Sequence, residues 1–289
     1  MLAVNRDAAA ASLTGLSVGD ALGAPYEMQQ DPVFALRPGP WRWTDDTEMA
    51  CTLLQALHRD GEVDQGQLAL AFARRWSADR GYGRGARTLL TSIADGVPWR
   101  SAAGALFSGR GSAGNGAAMR VAPLGAFFSA DPDLAARQAV LSAEVTHRHP
   151  EGVAGAVAVA LAAAYAAADP SPTGLLRLVL HHLPPSDVRD GIGRATRIAP
   201  ETDPRAAAAE LGNGSHALAQ DTVPFALWVA AGHLEDYPKA LEACVLAGGD
   251  VDTLCAIAGG IVAARTGTGG IPAEWIVARE PLPDWFQSP

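Results

Sequence analysis

The chain has 289 residues, 48% of them hydrophobic and 18% charged, with a formal net charge of -9. That is ample apolar material for a buried core, and with no Pro/Gly/Ser-rich linker between two composition regimes it predicts a single domain over 1–289. The acidic balance, with no clustered stripe of Lys and Arg, excludes extended nucleic-acid backbone binding as the main activity. Small anionic ligands stay open, because helix N-termini, glycine-rich loops and bound cations hold phosphates without basic charge.

Residues 1–15 lack the basic start, apolar stretch and cleavage site of a signal peptide. Three cysteines, Cys51, Cys244 and Cys255, have no CxxC spacing and suit a reducing cytosol. From there the pattern is helical nearly throughout, interrupted by glycine-bearing segments at Gly15–Glu27, Arg80–Gly85, Gly109–Arg120 and Ala247–Asp252. In the first of these, Gly15, Gly19 and Gly23 are spaced by four and line one helical face, a structural device for close helix packing. Glu27 follows Pro25, where a helix must end or kink, and an acid there can point into a cleft.

Thr44-Asp45-Asp46-Thr47 comes next, leading directly into a helix whose apolar face is Met49, Leu53, Leu54 and Leu57. Such a cluster is either an N-cap or a set of oxygen ligands, since Asp and Thr serve both purposes. Asp64 caps a helix with the stripe Leu68, Phe72 and Trp76. Gly111 to Arg120 is a glycine-rich loop, either a plain turn or a cradle in which backbone amides and Asn115 hold a ribose or pyrophosphate. Helices are expected at 133–145, 150–168, 174–183, 186–198, 204–219, 222–232, 238–247 and 253–265, with Asp221 or Thr222 starting the one that carries Pro224. The apolar run 153–168 is too short and alanine-rich to span a bilayer and is expected to be a buried helix. His147 and His149 invite a metal reading but fit a polar turn entering the helix after Pro150, and His181-His182 fit partly buried structural positions. No series of alternating strand residues appears, so the fold expected is all-α, a compact orthogonal bundle of about ten helices.

The last cluster is Gly248-Gly249-Asp250-Val251-Asp252-Thr253, again opening an apolar helix. One oxygen suffices for a cap, and here each of two helix starts offers several. Together they point to hard divalent cations such as Mg2+ or Mn2+ in a binuclear centre, not to zinc.

In order, GLSVGDALGAPYE, WTDDTEMA, RGYG, GSAGNGAAMRVAPLG, THRHPEGVAGA and GGDVDTLCAIAGGIVAARTG resemble the motifs of the ADP-ribosylglycohydrolase family, which includes the dinitrogenase reductase-activating glycohydrolase. The resemblance runs from residue 15 to about 267. It implies an all-α fold holding two Mg2+ or Mn2+ ions, with Thr44, Asp45 and Asp46 as ligands from the first cluster and Asp250, Asp252 and Thr253 from the second. Asp252 is implied as the bridging ligand, and Glu27 as the acid beside the metals, with a role in binding metal or water. Gly114, Asn115 and Gly116 match the loop that holds ADP-ribose; Tyr82 and His147 match positions lining the cleft. Two departures stand out: Val251 replaces a common threonine, and Thr44 follows Glu27 by only 17 positions. The second bears on the lid and the leaving group more than on the metal chemistry.

The activity implied is hydrolysis at the anomeric carbon of ribose, with Glu27, Asp45 and Asp252 carrying it, acting on an ADP-ribosylated protein or small molecule. A two-metal hydrolase of another ribosylated small molecule or nucleic acid, and a non-catalytic ADP-ribose binder, are the alternatives. A cytoplasmic monomer without membrane attachment is expected.

Overall fold

Side-chain caps set where many of the helices begin. In the computed structural model, which describes residues 4–168 and 174–287, Asn5 accepts the Ala8 N–H at the head of α1 (Arg6–Gly23). Thr44 precedes α2 (Asp45–Asp60), and Asp64 accepts the Gln67 N–H to open α3 (Gln65–Arg75). α4 (Arg84–Ala94), α5 (Trp99–Gly109) and the short α6 (Ala122–Phe127) follow. Asp131 with Pro132 in the first turn starts α7 (Pro132–Glu144), and α8 (Pro150–Ala168) and α9 (Leu175–His182) come next. Ser186 caps α10 (Asp187–Ala195) and Asp203 caps α11 (Pro204–Leu211). The chain closes with α12 (Ala219–Gly232), α13 (Tyr237–Ala247), α14 (Val251–Thr266) and α15 (Ala273–Ala278). Among the described residues only isolated β-bridges occur, Trp41 with Arg279 and Gly114 with Leu218. The fold is all-α. The domain expected over 1–289 includes 1–3, 169–173 and 288–289, which lie outside the described residues.

The expected helices are present, with two changes around residue 212. The helix predicted over 204–219 stops at Leu211, because Gly212 takes a φ of 91° that ends it. The next helix starts at Ala219, ahead of the Asp221 or Thr222 expected, and its N-cap residue Leu218 offers no side-chain bond. Asp221 instead accepts the His216 N–H and so holds the intervening loop. Of α1 the sequence pattern indicates only the stretch carrying Gly15, Gly19 and Gly23, and it gives no separate helix for α4, α5, α6 or α15.

Two helices form the spine. A Cβ built on Gly15 would lie 2.3 Å from the Ala263 Cβ, one on Gly19 2.2 Å from the Cys255 carbonyl oxygen, and one on Gly23 2.7 Å from the Asp252 Cα. The glycine stripe of α1 therefore lies directly on the backbone of α14, the close packing expected of its four-residue spacing. α8 packs beside them against α6, α7, α12 and α14. It is long and apolar enough to cross a membrane, but 72% of that stretch is buried within this fold. The consequence for function is positional: Gly23 brings the end of α1 to the start of α14, and α2 begins alongside.

Candidate active site

Asp20, on the last turns of α1, is fully buried and accepts four donors from the start of α2. The Thr44 N–H and hydroxyl reach it at 2.9 and 2.8 Å, and the Thr47 N–H and hydroxyl at 3.1 and 2.5 Å. These bonds satisfy amides that a helix start leaves unpaired. They also turn Thr44, Asp45 and Asp46 toward one cavity. The sequence reading missed Asp20, although it is a lone acid on the buried part of an otherwise apolar helix.

On the other side, Gly248 and Gly249 take φ of 66° and 79°, a left-handed pair that turns the chain into α14. Asp250 stands at the N-cap position but makes no cap bond to its own helix. Its carboxylate instead accepts the Asn115 Nδ2 at 2.7 Å, and the same amide donates to the Thr222 hydroxyl at 3.0 Å. Asp252 is buried, and Glu27, Asp250 and Asp252 each offer an oxygen within 4.8 Å of the other two.

The electrostatics of this gathering are unfavourable for the bare protein. Burial, with Asp20 next, pushes the Asp45 pKa up to about 8. Burial also raises Asp46 and Asp252 well above the usual carboxylate range, with neighbouring acids adding to it, and lifts Asp20 to about 6. Glu27 is raised by burial and by Asp250. Among the described residues no Lys or Arg forms an ion pair with Asp45, Asp46, Asp250 or Asp252, and the buried Asp46 Oδ1 has no hydrogen-bond partner. An all-oxygen donor set with an orphaned buried oxygen fits a hard divalent cation.

A cleft of about 690 Å3 joins these groups. Glu27, Thr44, Asp45, Asp46, Asp250, Asp252, Thr253, Gly114, Asn115, Gly116 and His147, all singled out in the sequence, line it. Tyr82 does not: it is buried, its hydroxyl donates to Glu48 at 2.8 Å, and its neighbours Gly81 and Gly83 face the cavity. Phe107, Arg110, His216 and Gln220 also line the cleft without having been anticipated. Phe107 and Ser108 carry positive φ, so α5 breaks at the cleft rim and leaves the Phe107 ring exposed there. His149 stays outside the acidic cluster, its Nδ1 accepting the Glu151 N–H. The three cysteines are free and buried, and His182 pairs with Tyr165 and Asp133; none of these residues is among those lining the cleft.

The glycine-rich loop is anchored from beneath. Arg120, entirely buried, donates to the Gly116 carbonyl at 2.8 Å, the Ser142 carbonyl at 3.1 Å and the Thr146 hydroxyl at 2.9 Å. Its guanidinium also lies over the Phe72 ring at 4.7 Å. From above, the loop pairs with the segment before α12, through Asn115 N–H to Ala217 and Ala219 N–H to Ala113.

A family profile described as ADP-ribosylglycohydrolase matches residues 1–288. An uncharacterised protein of Archaeoglobus fulgidus is 33% identical, over 91% of this chain and 88% of its own. ADP-ribosylhydrolase ARH3 of Homo sapiens is 30% identical, over 91% of this chain and 86% of its own. A solved structure described as an ADP-ribosylglycohydrolase-related protein complex aligns with a TM-score of 0.71 and 28% identity, covering 95% of this chain and 92% of that one.

Proposed function

The chain belongs to the ADP-ribosylglycohydrolase family, and we propose that it is a hydrolase that cleaves the bond at the anomeric carbon of ribose, releasing ADP-ribose from a modified protein side chain. The observation that carries this is the convergence, in one cleft, of two acidic helix starts with a glycine-rich loop. The similarity to a protein named an ADP-ribosylhydrolase supports the same assignment.

Thr44, Asp45 and Asp46 at the start of α2, with Asp250, Asp252 and Thr253 at the start of α14, would hold two divalent cations, Mg2+ or Mn2+. Bound there, the cations supply Lewis acidity toward the vicinal ribose hydroxyls and toward water. The chain's own groups do the rest. Asp20 keeps Thr44 and the first turn of α2 in place, and Asn115 keeps the Asp250 carboxylate turned inward. At Gly114 and Gly116 the loop's backbone can approach the ADP portion with no side chain in the way. Glu27, the most exposed acid of the cluster, sits where it can take a proton from the attacking water or pass one to the leaving group. Positive charge developing at the anomeric carbon, as in other glycoside hydrolyses, is favoured by the surrounding carboxylates.

The test is release of ADP-ribose from ADP-ribosyl-arginine and ADP-ribosyl-serine peptides, with Mg2+ or Mn2+ and then with excess EDTA. Metal-dependent release from one peptide establishes the reaction and its linkage together. No release from either, by protein shown to contain metal, would redirect the assignment to a ribosylated small molecule or nucleic acid. Binding of ADP-ribose without any turnover would make the chain a binding protein.

A further inference from the structure

We propose that Arg120, acting through Thr146, fixes His147 in the tautomer that carries its proton on Nε2, making the imidazole a hydrogen-bond donor into the cleft and not a proton-transfer group. The tautomer follows from a count of donors and acceptors. A guanidinium only donates, so the Thr146 hydroxyl accepts from Arg120 at 2.9 Å. The same oxygen lies 2.7 Å from the His147 Nδ1. Thr146 is buried, and among the described residues its side chain has no other partner. If Nδ1 carried the proton, the threonine would accept twice and its own hydrogen would be buried with nothing to receive it, which is the costly arrangement. The hydroxyl therefore donates to Nδ1, and the ring proton goes to Nε2.

Where that proton points is set by two glycines. A Cβ on Gly114 would lie 3.3 Å from the His147 Nε2, and one on Gly116 3.1 Å from it, so the Nε2 edge rests against the backbone of the loop. Among the described residues Nε2 has no hydrogen-bond partner, and His147 lines the cleft. Arg120 also holds the Gly116 carbonyl. One buried cation thus registers both the loop and the donor facing it. Burial and the Arg120 charge push the His147 pKa down to about 3, so the ring stays neutral near pH 7. A neutral Nε2–H at the edge of the glycine loop suits a ligand oxygen that bears negative charge, such as a pyrophosphate oxygen. This ligand rests on the function proposed above; the tautomer does not.

The experiment is a long-range 1H–15N spectrum of the full-length, 15N-labelled protein at pH 7, with His147 assigned through His147→Gln. The expected spectrum shows a protonated Nε2 and an unprotonated Nδ1. ADP-ribose binding, followed by titration calorimetry, weakens by about tenfold in Thr146→Val, the loss of one well-placed donor, and recovers in Thr146→Ser. A protonated Nδ1 in the wild type, or an unchanged tautomer in Thr146→Val, overturns the relay. If Thr146→Val does not fold, the wild-type spectrum alone decides. A wild type with the expected tautomer that does not bind ADP-ribose upholds the relay and counts against the proposed function.

Discussion

The Asp20 carboxylate and the Thr47 hydroxyl meet at 2.5 Å, and through that contact the end of α1 holds the beginning of α2. Replacing Asp20 by Asn keeps the size but gives a poorer acceptor and turns an amide toward donors. The expected outcome is a loss of about 1–3 kcal/mol in denaturant unfolding without metal. Binding of Mn2+, measured by calorimetry, should weaken by about 10–100-fold, the usual effect of losing a group that orients a ligand. Wild-type Mn2+ affinity in Asp20→Asn would show that Thr44 needs no such support.

The buried acids also predict how the metal-free protein responds to pH. Asp45 has a folded pKa of about 8 and Asp20 of about 6, against an ordinary 3.8. The folded state therefore holds more protons than the unfolded chain, and their stabilisation is complete below pH 3.8 and lost as pH rises through about 6 and then about 8. Thermal melts in EDTA should shift downward between pH 5 and 8. Saturating Mg2+ or Mn2+ should flatten this slope and add about 2.7 kcal/mol at a hundredfold excess over Kd. A metal-free melting temperature that climbs over this interval contradicts the electrostatic account.

Two glycines in helices should respond to alanine with opposite signs. Gly19→Ala drives a Cβ to 2.2 Å from the Cys255 carbonyl oxygen, so the two spine helices must separate. A cost of about 1–3 kcal/mol is expected, with a weaker metal site. Gly193, in α10, has nothing within 4 Å of an added Cβ, and Gly193→Ala should stabilise by about 0.5–1 kcal/mol. Chemical denaturation of the pair checks both signs.

Asn115 is expected to serve the acidic cluster as much as the ligand. Asn115→Asp would set a further carboxylate against Asp250, whose Oδ2 now receives the amide at 2.7 Å. Without metal the variant should be less stable than Asn115→Ala, and with metal part of the difference should return. Equal stability of the two variants in EDTA would mean that the Asn115–Asp250 contact is energetically silent.

Much of this arrangement was legible before any coordinates. Acidic helix starts are recognisable because several oxygens exceed what a cap needs, and the spacing of Gly15, Gly19 and Gly23 already told of close packing. What local pattern could not show is where a side chain goes once the chain folds back. Asp20 reads as an isolated acid until Thr44 and Thr47 arrive from 24 and 27 residues away. Tyr82 sits beside cleft-facing glycines yet turns inward to Glu48. Short helices such as α6 and α15 span too few residues for a period to register. The early start of α12 depends on the loop before it bonding to Ala113 and Asn115, a contact between distant segments.

The glycine seam between α1 and α14 also has a consequence for how the molecule is made. Its two halves lie at opposite ends of the chain, with Gly23 against Asp252. During synthesis at 5–20 residues per second, α1 emerges roughly 10–45 s before the helix it must bury against. Over that interval a helix whose second half is almost entirely buried in the finished fold waits without its mate. The Thr44–Asp46 cluster can be set by Asp20 early, but the cleft stays open until Asp250, Asp252 and Thr253 follow with α14. The second acidic cluster is therefore the last part of the site to be made, and the first waits for it with its carboxylates already gathered.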